Sequence, residues 1–195
     1  MNFLAHLYLS PNNTEIMIGN FIADHIKGNK YKHYAEDIQN GIILHRSIDT
    51  FTDTNDIVKI SKRRLHERYG HYDGIIIDIF YDHFLAKNWE QFSQIPLDIY
   101  AKSFYHLLEK NINILPEKTK QLLPSMIKYN WLYNYKFIEA IEKVLKGMNI
   151  RTQGKSKMNL AVIDLKEHYT DFENDFFLFF DKLNRHTEKT FFHKV

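Results

Sequence analysis

His45 and Asp49 stand four residues apart in the stretch Gly41–Asp53, whose apolar residues Leu44, Ile48 and Phe51 recur at helical spacing. An imidazole and a carboxylate one turn apart share a helix face, and that is a spacing at which two side chains can hold one metal ion. A second stretch, Gly74–Trp89, carries Asp78 and Asp82 at the same spacing among Ile75, Ile76, Ile77, Ile79, Phe80, Phe84 and Leu85. It leaves almost no polar face, so both carboxylates are expected to be buried. A buried carboxylate protonates, pairs with a cation or binds a metal, because a lone charge there is too costly. Two readings stay open. Either the two pairs meet at a metal site, or His45 and Asp49 bond each other while Asp78 and Asp82 meet Arg46 or Lys87 in a structural network.

The chain has 195 residues, enough for one domain (1–195) with a sizeable core, and it contains no cysteine. Disulfides, thiolate metal sites and cysteine nucleophiles are excluded. Any metal must be held by His nitrogen and Asp or Glu oxygen, a set suited to Mn²⁺, Mg²⁺, Fe²⁺ or Zn²⁺. With 26 basic and 24 acidic residues the formal charge is only +2, so bulk charge asks for no nucleic-acid partner. Local clustering matters more. Lys59, Lys62, Arg63, Arg64 and Arg68 form the densest basic run, which is either a solvated helix face or a surface for an acidic partner. No apolar run approaches the roughly 18 residues of a membrane span. The start, Met1–Ser10, lacks a basic segment and carries His6 among its apolar residues, so a cytoplasmic location is expected.

The elements that must position these groups read as helices. Met1–Ser10 alternates too irregularly for a strand, and Pro11-Asn12-Asn13 closes it as a turn. A helix starting at Thr14-Glu15 stops at Gly28-Asn29, and Tyr31 to Phe51 continues the helical pattern. Asp24 lies in the first of these, where a pairing with Lys27 or Lys30 would suffice to explain it. Further helices are expected over Ile57–Tyr69, Ile75–Trp89, Leu97–Leu115, Glu117–Tyr129 (broken or kinked at Pro124), Trp131–Leu145 (capped by Gly147) and Asn159–His186. Arg151–Lys157 reads as a mobile loop. Such a succession argues for an all-α, single-domain helical bundle.

Several motifs resemble the acyl carrier protein phosphodiesterase family. They are Met-Asn-Phe-Leu-Ala-His at 1–6, Gly-Asn-Phe-x-x-Asp at 19–24 with Lys27-Gly28, Gly-Ile-x-Leu-His-Arg-x-Ile-Asp at 41–49, and Asp-x-x-x-Asp-His-Phe-Leu-Ala at 78–86. Asn130-Trp131-Leu132, Val144-Leu145-x-Gly147-Met148 and Leu165-x-x-His168-Tyr169 carry the likeness to the end of the chain. The resemblance implies a divergent HD-type metal phosphohydrolase that removes 4′-phosphopantetheine from holo acyl carrier protein. It adds His6, Asp24 and His83 to the residues chosen on physical grounds. The implied metal ligands are His6, His45, Asp49, Asp78, Asp82 and His83, with Mn²⁺ the first choice of cofactor. Asp78 or Asp82, whichever is not fully used as a ligand, is then the candidate to orient the attacking water, Arg46 or Lys27 to stabilise phosphoryl charge, and Asp24 a further catalytic candidate. The acidic carrier would dock on Lys59, Lys62, Arg63, Arg64 and Arg68. The family pattern would have histidine where this chain has Tyr8, and the order Asp82-His83 reverses the usual His-Asp pair.

Two other functions compete with that one. The metal site could serve a nucleotide or other small phosphoester, since fold and metal do not fix a substrate. Alternatively, the chain is a non-catalytic helical module that binds an acidic protein. Of the 11 histidines, His25, His33, His66, His71, His106, His186 and His193 are expected at the surface, and His168 in packing or in support of the site.

Overall fold

The computed structural model describes residues 1–192, and they form helices joined by short turns without a strand. Eleven α-helices follow one another: α1 Phe3–Tyr8, α2 Thr14–Ile22, α3 Glu36–Thr54, α4 Asp56–Tyr69, α5 Asp73–Lys87, α6 Leu97–Lys110, α7 Glu117–Lys128, α8 Trp131–Asn134, α9 Ile138–Arg151, α10 Ala161–Glu167 and α11 Tyr169–Thr187. None of the described helices is long and apolar enough to cross a membrane.

Helix α5 runs through the middle because its sequence is apolar around nearly the whole circumference, the signature of a buried helix. Ile76, Ile77, Ile79, Phe80, Tyr81, Phe84 and Leu85 are all buried. It packs against α1, α4, α9 and α11. The α11 rings interlock with it: Phe80 meets Phe172 edge-on at 5.3 Å between centroids, and Tyr81 and Phe84 meet Phe176 at 5.8 and 6.0 Å. Those rings explain the high aromatic content, because they fill the space between two helices with few rotatable bonds.

Glycine sets the approach of α2 to α3. A Cβ on Gly19 would lie 2.2 Å from the Ile38 carbonyl oxygen, and one on Gly41 would lie 2.2 Å from the Ile16 carbonyl oxygen. The two backbones touch at this crossing, and no side chain fits between them. Asn20 and His45, which flank the crossing, are thereby brought together.

Several boundaries differ from the sequence reading. Met1–Ser10 contains helix α1, whose first-turn amides are satisfied from α5 rather than by a local cap. The segment Gly28–His33 is a 3₁₀ turn, and α3 starts only at Glu36. Pro124 neither breaks nor ends α7; it sits on an exposed side, where water can satisfy the carbonyl that proline leaves unpaired. The helix expected over Trp131–Leu145 is two helices, and α9 runs past Gly147 to Arg151, so Gly147 is an interior residue and not a cap. Arg151–Lys157 is a closed turn: Ser156 is buried and its hydroxyl is bonded to Thr152 Oγ1 at 2.7 Å. The last helix divides at His168 into α10 and α11.

Replacing Gly41 by Ala should force α2 and α3 apart, a form of overpacking that costs roughly 1–3 kcal/mol. A thermal melt should fall by roughly 2–4 °C per kcal/mol at this chain length. A Gly41→Ala protein melting with the wild type would refute the close crossing.

Candidate active site

Three of the expected residues converge from two helices. His6 comes from α1, and His45 and Asp49 from α3, and one donor atom from each lies within 4.8 Å of the others. The two imidazoles stack with centroids 3.9 Å apart and planes inclined by 15°. His45 Nε2 lies 3.0 Å from Asp49 Oδ2, and His6 Nε2 lies 3.2 Å from Asp49 Oδ1. Asp24 joins from the 3₁₀ turn after α2, its Oδ1 3.2 Å from His45 Nε2, and so pairs with His45 rather than with Lys27 or Lys30. Asp24 and Asp49 keep 62% and 41% of their side-chain surface exposed, so the cluster opens to solvent on the carboxylate side.

Asn20 decides which way both rings face. Its amide nitrogen donates to the His6 carbonyl at 2.7 Å and to Ser10 Oγ at 2.9 Å, which turns its Oδ1 toward His6 Nδ1 at 2.9 Å. Its main-chain carbonyl accepts from His45 Nδ1 at 2.8 Å. Both Nδ1 atoms therefore carry the hydrogen, and both Nε2 lone pairs point inward. There they meet only acceptors: Asp49 and the Met1 carbonyl, 3.2 Å away, for His6, and Asp49 and Asp24 for His45. Buried imidazole acceptors facing carboxylate acceptors at 3.0–3.2 Å call for a positive charge between them. A proton on His45 meets that need in the absence of metal, and a divalent ion bound by His6, His45 and Asp49 meets it with the donor set such ions prefer.

Charge states follow from the same contacts. Burial, and then the neighbouring His45, hold the His6 pKa down to about 4. Burial opposes protonation of His45 as well, but bonds from Asp24 and Asp49 overcome it and raise its pKa to about 9. Burial of Asp49 is likewise overcome by His45 and His6, which hold its carboxyl well below the usual range.

The α5 acids separate. Asp82 is fully buried and accepts the Leu4 amide at 2.7 Å and the Ala5 amide at 3.2 Å. Burial raises its pKa to about 7 against the pull of those two N–H groups. It caps the start of α1 and does not join the donor cluster. Asp78 is partly exposed; its Oδ1 lies 3.0 Å from the Met1 nitrogen, whose distance to Asp49 Oδ1 is 3.9 Å. Neither acid meets Arg46 or Lys87.

His83, also expected as a ligand, points to the other side of α5, with Nδ1 2.8 Å from the Tyr135 carbonyl and Nε2 2.8 Å from the Tyr169 hydroxyl. One residue further along a helix turns a side chain by about 100°, so Asp82 and His83 cannot both face α1. Arg46 bonds the Gly28 and Ile26 carbonyls and lies over the Tyr31 ring, where it ties the 3₁₀ turn to α3. Lys27 is exposed and does not line the cleft described below. Tyr8 donates to the Phe92 carbonyl within an aromatic cluster.

Along α4 the basic run is largely neutralised. Lys59 pairs with Asp56 at 2.9 Å, Lys62 with Asp53 at 3.0 Å, Arg64 with Asp175 at 2.5 Å and Arg68 with Asp164 at 2.9 Å. Arg63 is exposed and has no ion pair among the described residues. His33, His66, His71 and His106 are exposed as expected. His25 is instead half-buried, 2.7 Å from Thr119 Oγ1, and His186 stacks on Phe51. His193 lies outside the described residues.

A cleft of about 1250 Å³ opens above the cluster, with Asp24, Asp49 and Asp78 on its lining. Its walls mix apolar Leu122, Trp131, Val144 and Met148 with Tyr129, Asn130 and Asn134, and Lys118, Lys128, Lys143 and Arg151 also line it. Sequence reasoning missed α7, α8 and α9 as cleft walls, although the Asn130-Trp131 and Gly147-Met148 motifs lie there. It also missed Asn20, whose signal was a strongly polar residue between Ile18 and Phe21 on an apolar helix face.

These features define an all-helical protein with a His-His-Asp cluster, a set of donors consistent with a divalent metal, beside a deep mixed cleft. The sequence pattern of the family described as acyl carrier protein phosphodiesterase matches residues 1–183, and the chain belongs to that family. A protein of Photorhabdus laumondii named acyl carrier protein phosphodiesterase is 32% identical over 99% of this chain and 98% of its own. Proteins with the same name from Klebsiella pneumoniae and Pectobacterium atrosepticum are 31% and 30% identical, covering 96% and 94% of this chain and 98% and 95% of theirs. No solved structure matches the chain.

Asp82 and Asp49 should respond differently to substitution. Asp82→Ala strands two buried amides and should cost roughly 1–3 kcal/mol while leaving metal stoichiometry intact. Asp49→Asn removes a donor and should lose the metal; equal metal loss in both variants would overturn the division of roles. Since metal must displace the proton that His45 holds up to about pH 9, affinity should rise as pH climbs from 7 toward 9, by up to about tenfold per unit. Titration calorimetry with Mn²⁺ checks this, and a flat profile would contradict it.

Proposed function

We propose that the chain hydrolyses the phosphodiester joining 4′-phosphopantetheine to the serine of holo acyl carrier protein, releasing the arm and the apo carrier. The observation that carries this reading is the inward turn of two Nε2 lone pairs onto Asp49, at the edge of a cleft of about 1250 Å³ with both polar and apolar walls. Family membership supports it, as do the names of the relatives.

His6, His45 and Asp49 would hold the ion, with Mn²⁺ preferred on the mixed imidazole and carboxylate donors. When bound, a divalent ion supplies Lewis-acid polarisation of the phosphoryl oxygens and a lowered pKa for water. The protein's own groups do the rest. Asn20 keeps both imidazoles in the tautomer that leaves Nε2 free, and Asp24 bonds His45 from the solvent side. Asp78 lines the cleft without belonging to the three donors, and burial raises its pKa, which suits a group that takes a proton from the attacking water. As water oxygen bonds phosphorus, the bond from phosphorus to the serine oxygen breaks; the water's proton goes to Asp78, and the leaving oxygen takes a proton from solvent at the open side of the cluster.

The walls suit the arm, whose amides alternate with methylene and methyl groups. Asn130 adopts a left-handed conformation with φ 42°, and its Oδ1 is buried beside the cleft without a hydrogen-bond partner among the described residues. An amide N–H of the arm is the kind of donor this acceptor lacks. With a carrier as substrate, the place of work is the cytoplasm.

Incubating the purified protein with Mn²⁺ and holo carrier, then weighing the carrier, tests the reading. The carrier should lose the mass of the arm, and Asp49→Asn should slow that loss on the order of 100-fold or more. A carrier of unchanged mass after prolonged incubation would defeat the proposal.

A further inference from the structure

We propose that the acidic carrier docks on the rim of the cleft formed by α7 and α9, chiefly through Lys143 and Arg151 with help from Lys118 and Lys128. The basic helix α4 is then not the docking face. The proposal rests on the reading above that a holo carrier is the substrate.

Charge alone does not distinguish the two surfaces, but pairing does. On α4 four of the five cations already face an aspartate within 3.0 Å, so their fields are largely cancelled at the distances where a partner is first met. An acidic partner would have to displace those aspartates to gain anything. All four rim cations are exposed, and none takes part in an ion pair among the described residues. Glu139 is the one acid on this part of the rim, one turn before Lys143.

Helix geometry puts the rim cations where they would count. Glu139, Lys143, Gly147 and Arg151 recur every fourth residue and all line the cleft, so they form one row along its edge. Ala140, Val144 and Met148 form the adjacent row and also line it. Gly147 has open space where a Cβ would stand, which keeps the gap between Lys143 and Arg151 clear. A helix interior gains nothing from glycine, which costs about 1 kcal/mol there relative to alanine. A carrier surface seated against the two cations gives that cost a purpose.

Reach decides the remaining question. The scissile bond joins the arm directly to a serine of the carrier, so the carrier's surface must come to the cleft when phosphorus reaches the donor cluster. No residue of α4 lines the cleft, whereas α7 and α9 each supply two of the cations that do.

The test is Lys143→Glu with Arg151→Glu, assayed on holo carrier at low salt. KM should rise by about tenfold or more while kcat holds, and the rise of KM with added salt seen in the wild type should flatten. Hydrolysis of a short peptide bearing phosphopantetheinyl-serine, which has the arm without the carrier's acidic surface, should be unchanged. Lys110→Glu with Lys182→Glu changes net charge equally at exposed positions off the cleft and should leave KM alone. Lys143→Gln with Arg151→Gln serves if the reversed pair does not fold.

An unchanged KM in the rim variant, an equal rise in the Lys110 and Lys182 variant, or a rise confined to Arg63→Glu would overturn the docking face and leave the activity standing. A wild-type protein inert on holo carrier would remove the activity and the docking face together.

Discussion

The fourfold use of Asn20 is the contact on which the site depends. Its amide nitrogen fixes the orientation of its amide oxygen, that oxygen fixes the tautomer of His6, and its main-chain carbonyl fixes the tautomer of His45. With the rings pinned, two lone pairs face a carboxylate at 3.0 and 3.2 Å, an arrangement that a proton or a divalent ion relieves. The contact in turn needs two backbones closer than any side chain would permit, and that is what Gly19 and Gly41 supply. A change that widened the crossing by the width of a methyl group would move His45 away from Asn20. Local backbone economy and site chemistry are therefore one constraint.

A second dependence runs through α5. A helix with so few polar positions would ordinarily have no carboxylates past its first turn, and beyond Asp73 it carries two with different surroundings. Asp82 turns a buried charge into a cap for α1, which is how a six-residue helix with no local side-chain cap is held and how His6 reaches its partner. Two amide bonds do not fully offset burial, so the group stays poised near neutrality in its proton affinity. Asp78, one turn earlier, caps no helix and borders the cleft, with its Oδ1 on the Met1 nitrogen. The same residue type at a spacing of four thus gives one group that caps a helix and one that lines the cleft.

How far the sequence discloses this can be followed residue by residue. Helical periods are strong signals, and the all-α class follows from them. His45 and Asp49 share a helix face, so their proximity is a local property that spacing can report. The partition of Asp78 from Asp82, and the rotation of His83 away from the site, depend on which neighbours α5 meets, and no periodicity within α5 encodes that. His6 and Asp24 entered through resemblance because each acts across a tertiary contact. Gly147 reads as a stop signal because glycine usually is one; its place inside α9 becomes intelligible only when the cleft beside it is seen.

Basic residues show the same limit in electrostatic form. A run of five cations within ten positions stands out in any count of charge, yet a field is set by the cations together with the acids that fold against them. Asp164 and Asp175 lie about a hundred residues further along the chain, and they neutralise Arg68 and Arg64 only after α10 and α11 have packed against α4. The cleft cations are the inverse case. Lys118, Lys128, Lys143 and Arg151 are dispersed along the sequence and draw no attention as a cluster, but α7 and α9 bring them to one opening. Pairing is a tertiary property, so dispersed charges left unpaired at a cleft can outweigh a dense run already spent on holding helices together.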